Sequence, residues 1–233
     1  MIKQKIVENN IKVIFLDGEK GNMLNVDDIT ELLEIIDKEK NDIQTKGLII
    51  TGLNRSFCVG LKVQELSNSK FILFEIFDNL LLNLFSLTKP LIVAASGHSI
   101  GGGLLIQLCA DYIIMSDNQK IKIGLPELAL NTTLDALMLN VLEYSFGNSR
   151  NVQRLVYSGQ YIQPEQALQY KLCDELIDDT QIFQTALGKM KQLIAYDAHS
   201  FANIKKNLRI ETIKKMQDNL NKRCYNIYKT IIK

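Results

Sequence analysis

Three short apolar runs, each closed off by turn-forming residues, restrict this chain more than any other feature. They are Gly47–Gly52, Leu91–Ser96 and Tyr112–Ser116. Each is too brief for a helix and apolar on both faces, which fits strands buried on both sides of a parallel sheet. Helical spacing fills the gaps between them. Val26, Ile29, Leu32, Leu33 and Ile36 recur on one face, so Val26 to Lys38 is predicted as an amphipathic helix with Asn25 as its N-cap. Phe71 to Phe85 and Gly102 to Ala110 read as further helices. Strands that alternate with helices in this way point to stacked βαβ units, an α/β fold.

The flanks are simpler. Ile2 to Glu8 and Ile11 to Asp17 alternate as two strands joined by the hairpin signal Glu8-Asn9-Asn10. Ile121-Lys122-Ile123 is a further brief strand signal. The remainder is mostly helical by pattern: Ser149 caps a helix ending at Gly159, Pro164 opens another, and Thr180–Ala195 and Ile210–Ile231 follow. Phe71 to Leu87 is the most apolar long stretch, but Glu75 and Asp78 interrupt it, so a buried helix is expected there rather than a membrane span.

Composition sets outer bounds. With 233 residues, 46% of them hydrophobic, one sizeable core is affordable. The balance of 27 Lys and Arg against 26 Asp and Glu provides no long-range field for nucleic acid or an anionic membrane, so neither is expected as a partner. Lysines and one arginine gather near the C-terminus, at Lys205, Lys206, Lys214, Lys215, Lys222, Arg223, Lys229 and Lys233, and read as a solvated helix face. Cys58, Cys109, Cys173 and Cys224 show no zinc-type spacing and are expected to be reduced. No metal is expected. Met1 to Lys5 leads straight into a strand pattern with no signal peptide, which points to the cytoplasm.

Chemistry concentrates where the second apolar run ends. Ser96-Gly97-His98-Ser99-Ile100-Gly101-Gly102-Gly103 empties a strand through glycines into a helix start. Glycine lets a ligand touch the backbone, and the first helical turn offers unpaired N–H groups at the positive end of the dipole. Two other segments accompany it: Ser56-Phe57-Cys58-Val59-Gly60-Leu61, read as a turn, and Ile123-Gly124-Leu125-Pro126-Glu127-Leu128.

In the order and spacing of these three segments the chain resembles the crotonase family, the enoyl-CoA hydratase and isomerase superfamily. Asn22-Met23-Leu24-Asn25, Cys109-Ala110-Asp111 and Ser158-Gly159-Gln160-Tyr161-Ile162 leading to Ala167-Leu168 extend the resemblance over nearly the whole chain. It implies a spiral of repeated ββα units over residues 1–178. Residues 179–233 would be a C-terminal helical region of the same domain that makes trimers, alone or paired as hexamers. It also implies an acyl-CoA or carrier-protein thioester as substrate, with coenzyme A entering as part of that substrate and no tightly bound cofactor. The thioester oxygen would be held by the backbone N–H groups of Leu61 and Gly102. Val59, Gly60, Leu61, Lys62, Val63 and Gly102 would bind the coenzyme ester. Reaction at the α-carbon of a thioester passes through an enolate, and two preorganised donors stabilise the charge on its oxygen more than they stabilise the ground state.

Hydratases of this family hold a water between two glutamates. Leu105 stands at the first position here, and Glu127 keeps the second. One carboxylate cannot hold a water from two sides, but it can take a proton from one carbon and return it to another. The mitochondrial Δ3,Δ2-enoyl-CoA isomerases share this pattern, so an isomerase is expected, with Glu127 as proton shuttle. Leu125, Leu128 and Leu130 surround Glu127 in sequence, and apolar surroundings raise a carboxyl pKa. Lys62 replaces the usual Asp and leaves a decarboxylase or hydratase-type lyase open, as well as a silent acyl-CoA-binding subunit. Asn131-Thr132-Thr133-Leu134-Asp135 replaces a Pro-Gly segment, so Asn131 or Asp135 could add a polar group to the pocket. His98 is expected to make a structural hydrogen bond.

Overall fold

The chain folds as four successive ββα units in its computed structural model, which describes residues 2–63, 70–147 and 149–231. The first unit is β1 (Ile2–Val7), β2 (Ile11–Leu16), a single turn α1 (Glu19–Asn22) and α2 (Val26–Asn41). The second is β3 (Gly47–Gly52), β4 (Ser56–Cys58) and α3 (Lys70–Ser86). The third is β5 (Leu91–Ala95), β6 (His98–Ile100) and α4 (Gly102–Leu108), and the fourth is β7 (Tyr112–Ser116), β8 (Ile123–Gly124) and α5 (Ala136–Phe146). Then come α6 (Ser149–Ser158), α7 (Pro164–Gln169), β9 (Glu175–Ile177), α8 (Ile182–Leu193) and α9 (Ala198–Ile231).

From the second unit onward the two strands of each unit part company. The first joins a sheet ordered β1-β2-β3-β5-β7-β9, parallel except for the β1–β2 hairpin. The second joins a small, wholly parallel sheet, β4-β6-β8. The large sheet is apolar on both faces because its runs alternate between two clusters. Ile11, Val13, Ile49, Ile92, Ala94 and Ile114 pack with Ile182, Ala186, Leu187 and Met190 of α8. Ile14, Leu16, Leu48, Ile50, Leu91, Val93 and Met115 join the larger core shared with α2, α3, α4 and α5. Helix α2 starts where expected: Asn25 accepts from Asp28 N–H at 2.8 Å, and Asp28 accepts from Asn25 N–H at 3.1 Å, a reciprocal capping box.

Several elements depart from the sequence-based expectation. The turn expected around Ser56 contains β4, and the strand expected at Ile121–Ile123 narrows to Ile123–Gly124. The strand β9 carries no periodic signal long enough to register. The last helix begins at Ala198 rather than Ile210. The reason lies in Lys205 and Arg209, which interrupt a solvated pattern but are only 6% and 4% exposed. Lys205 Nζ donates to Asp111 Oδ2 at 2.6 Å and to the Lys89 carbonyl at 2.8 Å. Arg209 donates to the carbonyls of Phe85, Cys109 and Ala110 at 2.9–3.0 Å and to Asp111 Oδ1 at 3.0 Å. Its guanidinium also lies 4.5 Å from the Phe85 ring centroid. These contacts hold α9 against α3 and α5 and occupy the open carbonyls at the end of α4. The solvated-face reading fails for Lys205 and holds for Lys206, Lys214, Lys215 and Lys222, which are exposed. Lys233 and the side chains of Ser149, Arg223, Cys224 and Lys229 lie outside the described residues. Cys58, Cys109 and Cys173 are free and buried.

Removing Asp111 strands two buried cations. Asp111→Ala is expected to lower stability by about 3 kcal/mol or more, read as a shifted midpoint in urea unfolding. A midpoint equal to wild type would remove the clamp.

Candidate active site

Parallel strands send their following segments out on the same edge, and β4, β6 and β8 do this within a few residues. Ser56 pairs with His98, Cys58 and Ile123 both pair with Ser99, and Gly124 pairs with Ile100. Gly101 N–H donates to Gly124 O at 2.9 Å and extends the register by one residue. The chain then releases Gly60-Leu61 after β4, Gly101-Gly102 after β6 and Glu127 after β8. These are three of the segments that the sequence singles out, now side by side.

The backbone donors are freed by this register. Leu24 forms a parallel bridge with Leu61. In it, Leu24 N–H donates to Gly60 O and Lys62 N–H donates to Leu24 O, both at 2.9 Å. The bridge therefore skips the N–H of Leu61. Gly102 is the first residue of α4, where the N–H has no intrahelical partner. Among the described residues neither N–H has a backbone acceptor. A Cβ placed on Gly60 would lie 3.7 Å from Gly102 N, which puts the two segments in near contact.

Glycine is required at two points. Gly101 has φ +54°, and a Cβ there would come within 3.1 Å of Glu127 Oε1. A Cβ on Gly103 would sit 2.1 Å from the Cys58 carbonyl oxygen, so α4 lies directly on β4. A buried chain of side chains braces the same helix: Ser99 Oγ donates to Gln107 Oε1 at 2.6 Å, and Gln107 Nε2 donates to Leu172 O at 2.9 Å.

Glu127 sits in a turn closed on its own carbonyl, which accepts from the N–H groups of Leu130 (3.1 Å) and Thr132 (2.8 Å) and from Thr132 Oγ1 (3.2 Å). Its Oε2 is buried without a hydrogen-bond partner among the described residues. Burial pushes its carboxyl pKa above the usual glutamate range. The apolar surroundings are not the ones the local sequence suggests. Leu125 is fully buried, but Leu128 is 52% exposed and Leu130, at 65%, lines only the rim. Desolvation comes instead from a cavity of about 350 Å³ whose walls include Phe74, Phe77, Leu105, Leu134 and Met138 from three helices.

Val59, Gly60, Leu61, Val63, Gly102, Leu105 and Glu127 all line this cavity. Lys62 does not, and its backbone serves the bridge to Leu24. Asn131 is exposed and also stays out. Asp135 caps α5, accepting from Met138 N–H at 2.9 Å, so a structural role replaces the suggested pocket role. Thr132 and Thr133 are the polar side chains that this segment brings to the lining. His98 Nδ1 accepts from Lys122 N–H at 2.9 Å, and burial holds its pKa below the ordinary value. Asn22 escaped attention in the sequence. It is fully buried at φ +62°. It donates to the Leu53 and Ser56 carbonyls, each at 2.8 Å, and accepts from Gly18 N–H at 2.9 Å. It thereby anchors the loop that delivers Leu61. The available signal was Gly21-Asn22, since asparagine tolerates left-handed backbone.

A family model described as enoyl-CoA hydratase/isomerase matches residues 6–233. The human mitochondrial enoyl-CoA delta isomerase 1 is 29% identical over 184 residues, covering 77% of this chain; the match spans 61% of the human protein's length. The short-chain-enoyl-CoA hydratase of Clostridium acetobutylicum is 28% identical over 194 residues, 77% of this chain and 70% of that protein. The crystal structure of human mitochondrial delta3-delta2-enoyl-CoA isomerase superposes with a TM-score of 0.86 at 24% identity, over 95% of this chain and 91% of that one.

The contact between α4 and β4 is testable. Gly103→Ala drives a Cβ into backbone and is expected to cost about 1–3 kcal/mol, measured as a lowered melting temperature. An unchanged melting temperature would show that the two elements are free to separate.

Proposed function

Because the chain belongs to the enoyl-CoA hydratase/isomerase family, we propose that it moves the double bond of an enoyl-CoA thioester through an enolate. The observation that carries this reading is one desolvated carboxylate, Glu127, beside the Leu61 and Gly102 amides, with apolar Leu105 in the same cavity. The Glu127 carboxylate takes a proton from C2 of a 3-enoyl thioester. The electron pair of that C–H bond moves into the conjugated system, and negative charge develops on the thioester oxygen. The N–H groups of Leu61 and Gly102 hold that oxygen; a donor of this kind is worth roughly 3 kcal/mol in the transition state. Protonated Glu127 returns the proton to C4 and leaves the 2-enoyl product. A base desolvated enough to be strong, yet still ionised near neutral pH, suits both transfers.

Addition of water is the competing reading, since a hydratase is among the similar proteins. Leu105 argues against it because an apolar side chain cannot hold a water for attack. The reading also carries the homotrimer or hexamer implied by the family resemblance. Ile204 and Leu208 on α9, 61% and 70% exposed, supply apolar surface for subunit contact. No helix among the described residues is long and apolar enough to cross a membrane.

Incubation with 3-enoyl-CoA in deuterated water is expected to give the 2-enoyl product with deuterium exchange. Exchange without migration points to other enolate chemistry, a 3-hydroxyacyl product to hydration, and tight binding without any turnover to a silent subunit. Glu127→Gln is expected to lower kcat by about a hundredfold or more with binding retained; wild-type activity in that variant would sink the mechanism. In wild type, kcat falls as pH drops through the Glu127 pKa, because only the carboxylate accepts the proton. That acidic limb is expected above the usual glutamate range, and a limb at or below that range would contradict the desolvated base.

A further inference from the structure

The cavity is closed at one end by three helices. Phe77 of α3, Leu105 of α4 and Met138 of α5 line it and are 0%, 1% and 3% exposed. At the opposite end the lining residues Leu130, Thr132 and Thr133 are exposed. Gly102 abuts the closed end: a Cβ on it would meet Phe77 Cζ at 3.0 Å. A thioester whose oxygen sits on the Leu61 and Gly102 amides thus has two directions available. The coenzyme part carries phosphates, whose burial without partners is costly, so it takes the open end. The acyl tail is left the closed one.

Little length is available there. The whole cavity, about 350 Å³, lies near the bottom of the roughly 300–1,000 Å³ range of small-molecule sites. The walls are also backed, since α9 packs against both α3 and α5, and a close-packed interior yields little volume without a cost. We propose that Phe77 and Met138 set the acyl-chain length and restrict this site to short acyl groups. The inference rests on the acyl-CoA reading of the cavity. It does not depend on which reaction Glu127 performs.

Binding of saturated acyl-CoA esters, measured by calorimetry, separates the two questions because these esters undergo no double-bond migration. Butyryl- and hexanoyl-CoA are expected to bind wild type at least about tenfold more tightly than dodecanoyl-CoA. Phe77→Leu and Met138→Ala each remove wall volume, and each is expected to narrow that ratio by about tenfold. Two variants on different helices guard against one failing to fold; cooperative unfolding certifies each. Equal affinity across lengths in wild type, or a wild-type ratio in a folded variant of each wall residue, overturns the proposal. Wild type that binds short esters without isomerising 3-enoyl-CoA removes the isomerase and keeps the length limit. Wild type that binds no ester removes both.

Discussion

Three parallel strands of two or three residues hold the candidate site together. Individually they are too short to be stable, and none would form outside this arrangement. Their register is set by the large sheet behind them, since β4, β6 and β8 each continue a unit whose first strand is anchored there. Because all three run in one direction, Leu61, Gly102 and Glu127 emerge on one edge. The precision of the site is therefore a property of backbone pairing rather than of side-chain packing. Backbone amides suit this arrangement. Their positions follow from hydrogen bonds on both sides, such as the two bonds of Leu24 that flank Leu61, so they need no reorganisation when charge appears.

The helix that carries Gly102 is secured at both ends. At its start, Gly103 allows contact with the Cys58 carbonyl. At its end, Arg209 takes the carbonyls of Cys109 and Ala110, and Asp111 balances Arg209 and Lys205. The C-terminal helix is thus part of the frame around the catalytic backbone. Helices α3 and α5, which α9 backs, also form the walls of the cavity. One tertiary contact surface therefore supports both the placement of Gly102 and the shape of the space beside it.

That space explains why a single carboxylate matters. Glu127 has one buried oxygen without a partner, in a cavity whose other inner walls are apolar. Such an oxygen is costly to bury unless a ligand completes it. Its turn is built from its own carbonyl and the next few residues, so the carboxylate is held without an ion pair that would quench its basicity.

Much of the framework was legible in the linear pattern. The apolar runs at Gly47–Gly52, Leu91–Ala95 and Tyr112–Ser116, the Asn25 cap and the glycine run all appear as the pattern reads, because each is stabilised mainly by local periodicity or backbone geometry. The family resemblance rested on the same local segments, and the match over residues 6–233 bears it out. What escaped was everything settled between distant residues. Lys205 looked solvated because its partners, Asp111 and the Lys89 carbonyl, are remote in sequence. Asn22 looked like a turn residue because the carbonyls it gathers belong to the next unit. Leu128 looked like part of the apolar shell of Glu127 and faces solvent instead. The sequence by itself determined which segments are strands, helices and glycine turns, since hydrophobic period and backbone freedom are local quantities. Only the tertiary structure decided that Leu61, Gly102 and Glu127 meet and that Phe77 and Met138 wall them in. Parallel pairing and close packing act across chain separations that no local pattern encodes.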